Sequence, residues 1–232
     1  MAVELSERLA AVARQVPAGA VVADIGTDHA YLPVYLVRRG IAPRAVAGDV
    51  HRKPYEAALA TVRACELEDR IDVRLGDGLQ VLAPGEADAV VLAGMGGKTV
   101  CSILAAGRSV LAKVQRLIIQ PMRDISLVRR WLLANGWRLV DEDMAREGGH
   151  YYFIMAAEPG QEKVKDAFWL ELGPRLLEKR HELLHDYLLK RLGEIDTVLA
   201  EIKRAQNAKA QEKAALLKQE SGKIREVLSE WQ

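Results

Sequence analysis

The sequence predicts an α/β fold: a mostly parallel sheet with an antiparallel hairpin at one edge, followed by a helical, coiled-coil-like hairpin. Three observations predict it. Short continuous apolar runs (VVADIG, DAVVLAGMG, RLIIQP) alternate with helical patterns over the first 158 residues, as expected of strands covered on both faces. The last two β-like runs are joined through EGGH with no helical pattern between them, which implies an antiparallel pair. Beyond Glu158-Pro159-Gly160 no strand pattern remains, and Leu, Glu, Lys and Ala dominate.

Taken in order, strands are expected at Val21–Asp24, Ala45–Asp49, Ile71–Leu75, Ala87–Leu92 and Arg116–Gln120, then near Trp137–Asp143 and Tyr151–Ala157. Helices fall between them, for example Lys53–Cys65, Lys98–Ala106 and Ser126–Asn135. This alternation implies right-handed crossovers and a parallel sheet. Five parallel strands followed by a hairpin is the layout of Rossmann-like class I methyltransferase sheets, whereas a dinucleotide dehydrogenase continues with parallel units. The boundaries expected are a catalytic domain over residues 1–158 and a helical domain over 159–232.

In the tail, Leu184, Leu188, Leu192, Ile195, Leu199 and Ile202 form one apolar seam, and Ala210, Ala214, Leu217, Ile224 and Trp231 a second. A helical hairpin turning at Gln206-Asn207 would bury both seams. A single long helix would leave them exposed and require a partner chain. A monomer is the expectation.

Composition bounds the function. The 232 residues are 50% hydrophobic with net charge +1, balanced in both halves, so RNA binding would need a local basic patch. Candidates are Arg38-Arg39, Arg44, Arg52-Lys53, and Arg123 with Arg129-Arg130, although a solvated helix face explains any one of them equally well. Cys65 and Cys101 are far apart, outside any Cys-x-x-Cys spacing, which fits a reducing cytoplasm rather than a disulfide framework. No apolar run is long enough to span a bilayer, and the segment MAVELSERLAAVARQV lacks the pattern of a signal peptide.

The chemistry concentrates at strand ends. In VVADIGTDHAYLP, Asp24 ends the first strand, Gly26 allows a tight turn, and a helix starts near Ala30, whose N-terminus is expected to offer unpaired N–H groups. Thr27-Asp28-His29 stands where a dinucleotide site would carry further glycines. A pyrophosphate would sit poorly beside Asp24 and Asp28, while a cofactor with a sulfonium and an ammonium group suits these carboxylates. A turn capped by Asp28 with no ligand is the plainer alternative. Asp49, followed by Val50, closes the second strand where an acid can accept both ribose hydroxyls. Asp77-Gly78 follows the third strand, where methyltransferases usually contact adenine. Three acids at three successive strand ends point to S-adenosylmethionine.

The fourth strand ends in AGMGGK. Gly94, Met95, Gly96 and Gly97 leave bare backbone where amino-group methyltransferases often carry Asn/Asp-Pro-Pro-Tyr. This favours a nucleophile that needs positioning rather than deprotonation, such as a ring nitrogen; tight helix–strand packing would also explain the glycines. His181-Glu182-Leu183-Leu184-His185 matches the zinc-peptidase pattern, but it lies in the Leu-rich tail with no third histidine following. No metal site is expected, and a zinc peptidase is the remote alternative.

Together, DIGTDHAYLP, AGDVHRKPYEAA, RLGDGL, LAGMGGKTV, LIIQPM and GGHYYFIMAAE resemble the bacterial tRNA (adenine(22)-N1)-methyltransferases along about 155 residues. The resemblance implies S-adenosylmethionine as cofactor, tRNA in its D-arm region as partner, and N1 of adenine 22 as the methylated atom. It implies Asp28 as the catalytic candidate, with His29 and Tyr31 as partners. Asp24, Gly26, Thr27, Asp28, His29, Asp49, Val50, Asp77, Gly78, Gly94, Met95 and Gly96 are the expected cofactor-binding set. A methyltransferase acting on another RNA, a protein or a small molecule is the alternative.

Overall fold

The computed structural model describes residues 3–203 and 208–231. They divide into two compact units, with the boundary between Arg175 and Leu176. In the first unit the chain runs α1 (Glu7–Arg14), β1 (Val22–Ile25), α2 (Tyr31–Arg38), β2 (Ala45–Asp49), α3 (Arg52–Ala64) and β3 (Ile71–Leu75). After a 3-10 turn at Gly78–Val81 come β4 (Ala89–Met95), α4 (Gly97–Ala106), α5 (Arg108–Leu111), β5 (Arg116–Pro121), α6 (Ile125–Ala134), β6 (Trp137–Glu147), β7 (His150–Pro159) and α7 (Trp169–Leu172). The short α8 (Pro174–Glu178) crosses the boundary, and the long α9 (Glu182–Ile202) and α10 (Ala208–Ser229) make up the second unit.

The seven strands form one sheet in the order β3-β2-β1-β4-β5-β7-β6. β1 pairs in parallel with β2 on one side and β4 on the other. Strand order therefore reverses between β1 and β4, and ligands of open α/β sheets bind at that reversal, outside the carboxyl ends of the strands. All four residues of β1 and all five of β2 are buried, because apolar clusters from α1, α2 and α3 cover one face and those from α4, α5 and α6 the other.

The hairpin is longer than its sequence pattern suggests. β7 pairs antiparallel with both β5 and β6, and the β6 register shifts between Leu139 and Asp141. Such a bulge exchanges the two faces of the strand beyond it. Glu142, opposite Met155, therefore points with Met144 toward α6, while Asp141 and Asp143 accept hydrogen bonds from Gln15, the C-cap of α1, and from Arg14.

Glu142 meets Arg129 of α6 there, at 2.7 Å from Nε, with neither side chain exposed. Arg129 Nη1 also donates to the carbonyls of Leu170 and Glu171, and Glu142 accepts from the Arg175 backbone N–H. This pair fastens residues 170–175 to the sheet, which is why the first unit runs past Glu158. It also corrects the surface reading of Arg129, which is enclosed and has no access to a phosphate.

In the second unit α9 and α10 pack together. His185 stacks on Trp231, Arg191 pairs with Glu220 through two bonds of 2.7 and 3.0 Å, and Lys203 lines a groove with Gln211. The helices are therefore antiparallel. Leu184, Leu188, Ile195 and Ile224 are fully buried, as the seams predict. The expected turn at Gln206-Asn207 lies outside the described residues.

Candidate active site

At the β1/β4 reversal lies a cavity of about 540 Å3. Its polar wall includes Asp49, His51, Asp77, Gln80, Thr99 and Ser102; its apolar floor includes Ile25, Leu79 and Ile103. Of the expected set, Gly26, Asp49, Val50, Asp77, Gly78, Gly94 and Met95 line it.

Asp24 stands behind the cavity, 7% exposed at the end of β1. Burial, reinforced by the field of Asp49, pushes its carboxyl up to about 6, against the opposing pull of the Thr27 hydroxyl and Arg8. Asp49 Oδ1 accepts from the His51 backbone N–H at 2.7 Å, which orients the carboxylate at the cavity wall.

The turn after β1 differs from expectation in an informative way. The N–H groups of Gly26 and Thr27 both donate to the Gly48 carbonyl, at 2.8 and 3.1 Å. The N–H of Ala30 donates to Thr27 Oγ1. The turn thus presents acids while three of its amides, those of Gly26, Thr27 and Ala30, are already engaged. Neither Thr27 nor Asp28 caps the helix through its side chain, and α2 starts from Ala30 in the left-handed region at φ 53°. Gly26 takes φ 82°, and the Met95 methyl lies 2.5 Å from where a Cβ would be.

Asp28, His29 and Tyr31 stand outside the cavity but together. The His29 and Tyr31 rings stack at 5.1 Å, and Asp28 Oδ2 lies 3.5 Å from His29 Nε2. Asp28 is 77% exposed, open to whatever docks over the crevice. Gly96 also stays off the cavity wall, as the N-cap of α4.

Sequence reasoning missed His51, Thr99 and Ser102. The i, i+3 spacing of Thr99 and Ser102 on α4 was the available signal. It also missed Gln120 and Arg8, brought together only by the packing of α1 across the sheet. His181 caps α9, its Nδ1 accepting from the Leu183 N–H, and His185 stacks on Trp231. Among the described residues no group of three His, Cys, Asp or Glu side chains is placed to hold a metal.

The model of a methyltransferase domain family matches residues 5–155. The chain is 38% identical over 207 residues to the tRNA (adenine(22)-N(1))-methyltransferase of Bacillus subtilis (strain 168), covering 87% of each. It is similar to the crystal structure of the B. subtilis m1A22 tRNA methyltransferase TrmK, with 34% identity, a TM-score of 0.86, and coverage of 97% of this chain and 99% of that one. It is also similar to M. capricolum TrmK in complex with S-adenosyl-homocysteine, with 26% identity, a TM-score of 0.81, and coverage of 97% and 98%.

Proposed function

This chain belongs to the tRNA (adenine(22)-N1)-methyltransferase family, and on that premise we propose that its crevice transfers a methyl group from S-adenosylmethionine to N1 of adenine 22 in tRNA. The observation that carries this reading is Asp49 and Asp77 on the wall of one cavity with buried Asp24 at the adjoining end of β1, beside a turn in which the Gly26, Thr27 and Ala30 amides are already bonded. Those residues suit a cofactor that is cationic rather than polyphosphate.

The fit is specific. Asp49 would accept the ribose hydroxyls, Asp77 would meet the adenine, and Asp24 would lend its negative field to the cationic end. When bound, S-adenosylmethionine supplies an electrophilic methyl group on sulfur. The adenine ring nitrogen already carries its lone pair, so the protein's task is alignment more than proton removal. Asp28 would stabilise the positive charge that develops on the methylated ring. The His29–Tyr31 stack would offer a platform for a base turned out of the RNA.

We assign the D-arm region of tRNA as the docked segment, a monomer as the working form, and the cytoplasm as its place. Among the described residues no helix is long and apolar enough to cross a membrane. The test is methyl transfer to an unmodified tRNA transcript with adenine at position 22, beside the same transcript with guanine there. Transfer to the first alone is expected; equal transfer to both would discard the assigned position.

A further inference from the structure

Arg8 lies on the side of the crevice away from Asp49 and Asp77. Its Nη1 donates to Gln120 Oε1 at 2.7 Å, and its guanidinium carbon stands 5.8 Å from the centre of the Tyr152 ring. Gln120 is completely buried at the end of β5, and the same oxygen accepts from the Gly94 N–H. Arg8 is thus held by a fixed acceptor and an aromatic face, with the nearest guanidinium nitrogen 3.7 Å from where a Cβ on Gly94 would be.

A guanidinium has five N–H donors, and Gln120 engages one nitrogen. Arg8 is half-buried and forms no ion pair among the described residues. Across the same glycine run lies Arg123, exposed, its Nε 3.0 Å and Nη2 3.6 Å from the Cβ position of Gly96. Two cations therefore flank the bare backbone at residues 94–97, Arg8 also lying within the field of Asp24 and Glu147.

We propose that Arg8 and Arg123 grip the tRNA phosphodiesters on either side of the extruded adenosine. The proposal rests on the tRNA reading above. Turning a nucleotide out of a helix rotates it about its backbone, so its flanking phosphates are the atoms to immobilise. Planar forked donors match phosphate oxygens, and the Gln120 and Tyr152 contacts fix one fork before the RNA arrives. Glycines at 94 and 96 leave room for the backbone between them.

The test is tRNA affinity of Arg8→Gln and Arg123→Gln between 50 and 200 mM salt, with Arg8→Lys as the charge-conserving variant. Each glutamine variant should weaken tRNA binding roughly tenfold and flatten the slope of log affinity against log salt by about 1. At pH 8, where Asp24 is ionised with or without the Arg8 charge, S-adenosylmethionine affinity should stay within about twofold, certifying the fold, and Arg8→Lys should keep the wild-type slope. An unchanged slope in Arg8→Gln, or a loss falling on cofactor affinity, would make Arg8 a tie between α1 and Gln120 and overturn the proposal. In either case wild-type methylation of adenine 22 would stand. A wild-type chain that neither binds nor methylates the transcript would overturn both readings.

Discussion

Asp24 and Asp49 end adjacent strands, and the field of Asp49 adds to burial in making Asp24 harder to ionise. A cationic ligand relieves that repulsion, so affinity for S-adenosylmethionine should fall as Asp24 takes up its proton. The loss should approach tenfold per pH unit below about 6, read by calorimetry between pH 5 and 8. A flat profile over that range would remove Asp24 from the site.

The same carboxyl should weaken the cofactor-free fold. Its pKa rises from 3.8 to about 6, so between those values the folded chain keeps a proton that the unfolded chain has lost. Stability therefore declines as pH climbs from about 4 to about 6 and stays lowered above, by on the order of 3 kcal/mol. Asp24→Asn should raise the thermal midpoint at pH 8 but not at pH 4, while weakening cofactor binding. Equal midpoints at both pH values would contradict the buried charge.

Asp28→Ala should lower kcat by about 10²- to 10³-fold and leave cofactor affinity and the melting curve unchanged, because the side chain is exposed and caps nothing. Full activity in this variant would end its proposed role.

Gly97→Ala should be poorly tolerated. An added Cβ would stand 2.6 Å from the Asp124 carbonyl and 2.8 Å from that of Arg123. Backbone must move to admit it, at about 1–3 kcal/mol, and the movement would displace Arg123. A shift of the urea midpoint with higher KM for tRNA is expected; a wild-type midpoint would refute the clash.

Arg129→Met or Glu142→Gln should each remove about 3–5 kcal/mol by stranding a buried partner. Arg129→Met with Glu142→Leu should recover most of that loss, since apolar replacement leaves no uncompensated charge. Denaturant unfolding of the four proteins decides it, and additive losses would mean the two groups are not coupled.

The strands were legible because β1, β4 and β5 are buried on both faces and read as continuous apolar runs. The acids at Asp24, Asp49 and Asp77 were legible because strand ends point to the crevice. Glu142 was not, since the bulge after Leu139 exchanges the faces of β6 without a Gly or Pro to announce it. Arg129 read as surface beside Arg130, although its neighbours Val128 and Leu132 are buried on the same helix. The state of the turn amides was also illegible, because it depends on the carbonyl of Gly48, contributed by a different strand.

That carbonyl has a consequence for molecular competition. Adenosine is the shared handle of many abundant nucleotides, and a pocket that recognised it alone would be occupied by the commonest of them. By engaging both Gly26 and Thr27, Gly48 withholds two amides of the turn from a polyphosphate chain, and the carboxylates of Asp24 and Asp49 would repel that chain. Selectivity built this way would be discrimination by refusal: a crevice that admits the nucleoside and turns away the usual tail.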